Sequence, residues 1–293
     1  MAKHSAPHHA GNVTPPLSAV PSAARRPPAP RRRSASRRPS ASRVVSNVLI
    51  ALGIILLLVA AGLWGFAQWR YHEQDVQNQK LAAYVQLPTE EQSSGAPVVD
   101  WAGLKAINGD VVGWLYVPGT TINYPVYQGD DNEYYLRHSA EGDWIIAGQL
   151  FMDYENSTPG MVDNQSIIYG HHLKNGTMFE QVAAMDDQSR FDEITTVWYV
   201  TETGSFELEP LMLYYTDPDD QNVRQFTFES TDAFHSYLGA LLSKAVTRRG
   251  DAEQVIQGAE HVLTMSTCNY YDGYGRTILV CVPKSEANAS ASS

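Results

Sequence analysis

The stretch LTMSTCNYYDGYGRTILVCV, residues 263–282, sets two apolar runs on either side of a centre rich in Tyr, Asp and Gly. That pattern is a β-hairpin. With its turn centred near Asp272, pairing puts Cys268 opposite Arg276 and Cys281 opposite Leu263. These are the chain's two cysteines. Their sulfurs then lie about five residues apart along the sheet, roughly 16 Å, too far for a disulfide. Cys281 reads as a small buried hydrophobe. Cys268 needs another explanation.

Upstream of the hairpin, further β-rich runs fall at Gln149 to Asp153, Gln165 to Tyr169, Thr195 to Thr201 and Phe206 to Tyr215. VDWAGLKAINGDVVGWLYVPGTTINYPVYQ, residues 99–128, alternates β-rich runs with turn signals at Asn108-Gly109 and Pro118-Gly119. With His261 to Ser266 and Thr277 to Val282 this makes about eight strands, typical of a barrel. Helical pattern is scarce. STDAFHSYLGALLSKAV, residues 230–246, puts Phe234, Tyr237, Leu238, Leu241, Leu242 and Ala245 on one face behind a capping Ser230 or Thr231. TMFEQVAAM, after Gly176, is a shorter candidate.

The N-terminal third differs. Its first 43 residues carry Lys3 and eight arginines, no acid, and repeated Pro, Ser and Ala. Such a segment cannot bury enough apolar surface to offset its chain entropy and reads as disordered. From Val44 to Phe66 run 23 residues without a charge, which as a helix span about 34 Å. We read a transmembrane helix over 44–69, with Trp64, Phe66, Trp69 and Tyr71 as its aromatic belt. The positive-inside rule places residues 1–43 in the cytoplasm and the rest outside. Removing the tail's +9 from the net charge of −11 leaves −20 for the rest. That argues against nucleic acid as a partner of the exported part. For the arginine tail, topology signalling and anionic lipid are the simpler partners.

Residues 70–97 read as a stalk and linker, with a helix packed on the domain through Leu81, Tyr84 and Val85 as the alternative. A domain over 98–284 follows, and 285–293 reads as a disordered tail.

A nucleophilic cysteine needs a base or a cation beside it, and a tetrahedral intermediate needs its oxyanion held. Arg276, across the hairpin from Cys268, offers a planar, permanently charged fork. In IIYGHHLKNGTMFEQ, an apolar strand runs into Gly170 and then His171-His172, where side chains project from a barrel rim. Of the nine histidines, His4, His8, His9 and His72 lie in the tail or at the membrane. His235 falls on the solvent side of its helix and His261 starts a strand. Neighbouring histidines on an extended chain point to opposite faces and no further ligand set is evident, so no metal or other cofactor is expected. TDPDDQN, residues 216–222, is loosely similar to a calcium loop but lacks its glycine and terminal glutamate, and reads as a solvated turn.

Together YGHHLKNGTMF, LTMSTC and an arginine eight residues after the cysteine resemble the signature of sortases, class B in particular. NGDVVGWLYVPGTTINYPVYQGDDNEYYLRHS, AGQLFMDYEN and DNQSIIYGHH are similar to the class B pattern in the same order, so the resemblance covers roughly Val99 to Pro283. It implies a mostly β fold: an eight-stranded sortase-type β-barrel with a few short helices, preceded by one transmembrane helix. It also implies a cysteine transpeptidase on the outer face of a Gram-positive membrane. By the resemblance Cys268 is the nucleophile, His171 the general acid/base, and Arg276 the group that holds the oxyanion and the sorting signal. Ser266 and Thr267 would line the substrate groove, and the backbone N–H of Asn269 would complete the oxyanion hole. No role carries over to His172. Met265 stands where leucine is usual, a volume-conserving departure. The implied partners are sorting-signal-bearing surface or pilin proteins, an amine acceptor from a peptidoglycan precursor or a pilin lysine, and the cytoplasmic membrane. A membrane-tethered cysteine hydrolase, a catalytically silent surface binding domain and an exported zinc protein are the alternatives.

Overall fold

The computed structural model describes residues 41–88, 95–269 and 275–291, and for Cys268 and Asn269 it describes the backbone. The basic tail to residue 40, the linker at 89–94, the hairpin turn about Asp272 and the last two residues lie outside the described residues. Two compact units divide at Leu58. The apolar run lies in α1 (Ala41–Ala82), a helix long and apolar enough to cross a membrane. Its large apolar side chains, such as Leu49, Leu57 and Leu63, are exposed.

The last turn of α1 belongs to the second unit. Leu81 and Val85 are buried there in a cluster with Leu104, Val111 and Trp114, with Tyr84 packed against it. Two short strands, β1 (Val85–Gln86) and β2 (Val98–Val99), pair antiparallel. The next segment departs from the β-rich reading: Trp101–Ile107 is a helix, α2. Asp100 caps it by accepting the Gly103 amide at 3.0 Å, and Leu104 is buried on its inner face. Two alanines, Leu104 and Lys105 are good helix formers, and the Asp100 cap adds to that preference.

The strands that follow are β3 (Val111–Tyr116), β4 (Asn123–Tyr127), β5 (Leu150–Met152), β6 (Gln165–Tyr169), β7 (Val197–Val200) and β8 (Ser205–Thr216), then β9 (Ala245–Arg248), β10 (Val262–Asn269) and β11 (Gly275–Pro283). They are ordered β11-β10-β6-β5-β4-β3-β7-β8, and pairing of β8 with β11 closes the ring. The result is an eight-stranded barrel, as expected. Closure removes the two open ends of the sheet. The ninth strand, β9, was not anticipated. It pairs with the second half of β8, and it takes Ala245 off the expected helical face. Its β-branched Thr247 is buried, with its hydroxyl on the Met185 carbonyl at 2.8 Å.

Strand alternation sorts the core. Leu115, Val126, Ile168, Leu213, Leu263, Met265, Leu279 and Cys281 fill the barrel interior. On the outer face of β10 and β11, Val262, Ile278, Val280 and Val282 pack under α5 (Thr231–Leu242) and α6 (Ala252–Ile256). Each such fully buried aliphatic side chain contributes about 1.5–3 kcal/mol. Ser230 caps α5 and its Phe234, Leu238, Leu241 and Leu242 are buried, as the periodicity predicts. Between β6 and β7 lie α3 (Glu180–Ala183), where a short helix was expected, and α4 (Gln188–Glu193). The reading of 285–293 as a disordered tail is corrected for 285–291, which α7 (Lys284–Ala291) covers; residues 292–293 lie outside the described residues. Ala287 is buried in the cluster with α5 and α6, and Glu286 accepts the amides of Glu260 and His261 at 2.7 and 2.9 Å.

Candidate active site

β6 and β10 run parallel, with Ser266 beside Tyr169 as their last pair. The Gly170 amide extends the pairing by donating to the Ser266 carbonyl at 3.1 Å. One position further stand Gly170 and Thr267, and then His171 and Cys268. Counted from the Ser266–Tyr169 pair, Cys268 is two residues on along β10 and His171 two residues on, just past the end of β6. On the other side of β10, Cys268 is the cross-strand partner of Arg276, and Leu263 that of Cys281, the register read from the sequence. Arg276 in turn faces Thr216 of β8. The three residues thus come to one end of three neighbouring strands. By alternation, positions 268 and 276 share the outer face with Val262, Ile278 and Val280.

Gly170 lets the chain turn out of β6 at this point. A Cβ there would lie 2.5 Å from Leu150 Cδ2 and 2.7 Å from Phe179 Cδ2. His171 is then held at both ends. Its carbonyl accepts the Phe179 amide at 2.9 Å, and its ring Nε2 lies 2.8 Å from the Leu136 carbonyl oxygen. A carbonyl only accepts, so Nε2 carries the proton and Nδ1 is left to exchange one. Burial is the main influence on the ring and lowers its pKa. The Leu136 carbonyl opposes this, the charges of Arg137 and Arg276 add to it, and the net direction is downward from 6.5.

Behind His171 a buried carboxylate ties three loops together. Asp153 closes β5 and is wholly buried. Arg224 grips it with two bonds, Nε to Oδ2 at 2.8 Å and Nη2 to Oδ1 at 2.9 Å. Tyr169, two residues before His171, donates its hydroxyl to the same carboxylate at 2.7 Å, and Asn132 donates at 3.0 Å. Burial alone would raise Asp153, yet the Arg224 fork, the Tyr169 hydroxyl and the Glu155 amide outweigh it and hold the carboxyl below the usual range. The TDPDDQN segment leads into this anchor as a turn: Asp220 accepts the Thr216 hydroxyl at 2.6 Å and the Asn222 amide at 3.0 Å.

Ser266 and Thr267 are both buried, and the Thr267 hydroxyl has no partner among the described residues. His172 forms a one-residue bridge with Met178. His235, expected on the solvent side of α5, instead points its Nε2 at the Ala259 carbonyl, 2.9 Å away. That helix packs beside α6, so the face is half covered. His138 stacks on Tyr134, with centroids 4.1 Å apart. His261 pairs with Glu286 at 2.9 Å, which raises its pKa. Among the described residues no three His, Cys, Asp or Glu side chains converge as metal ligands. Cys281 lies in the barrel interior, where burial pushes its thiol far above the ordinary range.

Sequence reading missed the Leu136 carbonyl, Arg137, Asp153 and Arg224. A backbone carbonyl leaves no trace in residue identity. Asp153 did leave one, as a carboxylate ending the apolar run QLFMD.

A family model described as the Sortase domain matches residues 115–284. Sortase B of Listeria monocytogenes is 30% identical over 238 residues, spanning 78% of this chain and 95% of the relative. The Staphylococcus aureus sortase B–substrate complex aligns with a TM-score of 0.57 at 26% identity, covering 72% of this chain and 93% of the other. A sortase B complexed with triglycine aligns with a TM-score of 0.58 at 26% identity, covering 74% and 96%.

Proposed function

The chain belongs to the sortase family, and on that premise we propose that it is a class B cysteine transpeptidase anchored by α1 in the cytoplasmic membrane, with its barrel on the outer side. The observation that supports this reading is the pairing of Cys268 with Arg276 across β10 and β11, with His171 just past the end of the neighbouring β6. In the proposed reaction the Cys268 thiolate attacks a backbone carbonyl carbon of a C-terminal sorting signal. Arg276 faces the resulting oxyanion, with the Asn269 N–H as a second donor. Collapse breaks the C–N bond, and the imidazolium of His171 gives its proton to the departing amine. A thioester to Cys268 remains. An amine then attacks the thioester, His171 takes its proton, and the thiolate leaves. Ser266 and Thr267 lie on the strand that would flank the bound signal. A substrate complex and a triglycine complex among the relatives agree with a peptide donor and an amine acceptor.

Reference pKa values of about 8.5 for cysteine and 6.5 for histidine leave roughly one molecule in ten as thiolate and one in ten as imidazolium near pH 7.5. Because His171 is lowered further, the ion pair is rarer than the product of these, about one in a hundred. The enzyme is accordingly slow, with a bell-shaped pH profile.

Product analysis tests the reading. With a sorting-signal peptide, added triglycine should yield ligated product in preference to free acid. Free acid alone, unaffected by triglycine, would make the protein a cysteine hydrolase.

A further inference from the structure

The segment that holds His171 through the Leu136 carbonyl continues into a loop with an unusual surface. Its backbone is braced: the Ile145 amide bonds the Arg137 carbonyl at 2.7 Å, Arg137 Nη1 bonds the Ile146 carbonyl at 2.7 Å, and His138 pairs with Trp144 as a β-bridge. Yet Trp144 and Ile146 at its tip are 58% and 40% exposed. The guanidinium carbon of Arg70 lies 5.0 Å from the centre of the Trp144 ring and 5.8 Å from that of Phe66. Phe66 ends the apolar run, and Arg70 is about one turn, roughly 6 Å, further along the helix. Trp144 therefore stands close to the level at which the helix ceases to be apolar, where Trp64, Phe66 and Trp69 are also exposed.

Between this loop and the helix is a cleft of about 520 Å³ whose lining includes Arg70, His72, Lys80 and Asp143. Arg70 Nη2 and Gln74 Nε2, both at this face, are buried donors with no partner among the described residues. Gln74 itself is 5% exposed.

We propose that the Asp143–Ile146 loop docks on the phospholipid surface. Trp144 and Ile146 enter the headgroup region, and the Arg70 guanidinium faces lipid phosphate. An amphipathic indole beside a cation is the chemistry of a membrane interface. The exported part carries −20 overall and gains nothing from general attraction to anionic lipid, so docking depends on these apolar side chains and this local cation. The tether already supplies a high effective concentration, and a small patch suffices. Docking would fix the height of the His171 end of the barrel above the bilayer, because one segment carries both. The inference rests on α1 spanning the membrane.

The test uses the full chain in phosphatidylcholine vesicles, with a nitroxide on one introduced cysteine in a Cys268→Ala background, the buried Cys281 staying unlabelled. Oxygen and a water-soluble nickel chelate report depth by electron paramagnetic resonance. A label at Ile146→Cys should favour oxygen over the chelate, and adding Trp144→Asp should shift it to the value of a water-exposed label at Asp219→Cys. Labels at Leu57→Cys and Ile146→Cys separate the two claims. If position 57 is shielded from the chelate while position 146 matches position 219, the span stands and the docking is wrong. If position 57 is itself open to the chelate, the span reading fails and the docking falls with it. An unchanged depth at 146 in Trp144→Asp would also overturn the proposal.

Discussion

Replacing Arg224 by glutamine leaves the Asp153 carboxylate buried, with the Tyr169 hydroxyl at 2.7 Å, the Asn132 amide at 3.0 Å and the Glu155 N–H at 3.1 Å as donors. Two charge-assisted bonds at 2.8 and 2.9 Å are lost. Leaving a buried charge without its partner costs about 3–5 kcal/mol. For a domain of this size that is a fall in Tm of roughly 6–20 °C. The pH dependence carries a definite sign. In the wild type Asp153 is held low, so its contribution is present above about pH 4 and is lost as pH falls through its folded pKa. In Arg224→Gln burial prevails, the carboxyl pKa rises, and protonation relieves the penalty. The deficit is therefore largest near pH 7.5 and shrinks toward pH 5. Thermal melts by circular dichroism, in non-ionic detergent at both pH values, measure it. The double variant Asp153→Asn with Arg224→Gln should recover most of the loss. A deficit below about 1 kcal/mol, or one equal at both pH values, would refute the reasoning.

Other expectations concern the chemistry. Arg276→Ala should slow the chemical step by about 10²–10³-fold, and Arg276→Lys should restore it only in part, because a point charge does not replace the fork; stopped-flow acylation with full rescue by lysine would contradict this. The acid limb of the pH profile of kcat/KM should have its midpoint below about 6.5, since His171 is lowered chiefly by burial, and Arg137→Gln should move it upward by removing one of the neighbouring charges. A limb above 6.5 would contradict the environment described for the ring. Maleimide should label one thiol in the folded protein and two after denaturation, with Cys281 the protected one; labelling of Cys281 in the folded state would place it outside the barrel core.

The hairpin was legible because turn residues and apolar alternation together fix a two-residue period, and the observed partners of Cys268 and Cys281 follow from that alone. The same alternation located β6 from Gln165 to Tyr169 and with it the position of His171. What escaped depends on contacts distant in sequence. Arg224 and Asp153 are 71 residues apart, and no local pattern joins them. The α2 segment sits within a run read as β-rich, but its Ala, Leu and Lys favour helix, Asp100 caps it and Leu104 is buried. β9 exists because β8 runs past β7 and leaves an edge for Thr247 and its neighbours to pair with. α7 depends on Glu286 finding two amides at the start of β10.

The central claim is that Cys268 forms a thioester with a sorting signal. Intact-protein mass spectrometry during turnover of a panel of sorting-signal peptides tests it most directly. A thioacyl adduct mapped to Cys268, discharged by triglycine and missing from Cys268→Ala and His171→Ala, is the predicted result. An adduct elsewhere, or product formed by Cys268→Ala at the wild-type rate, would contradict it.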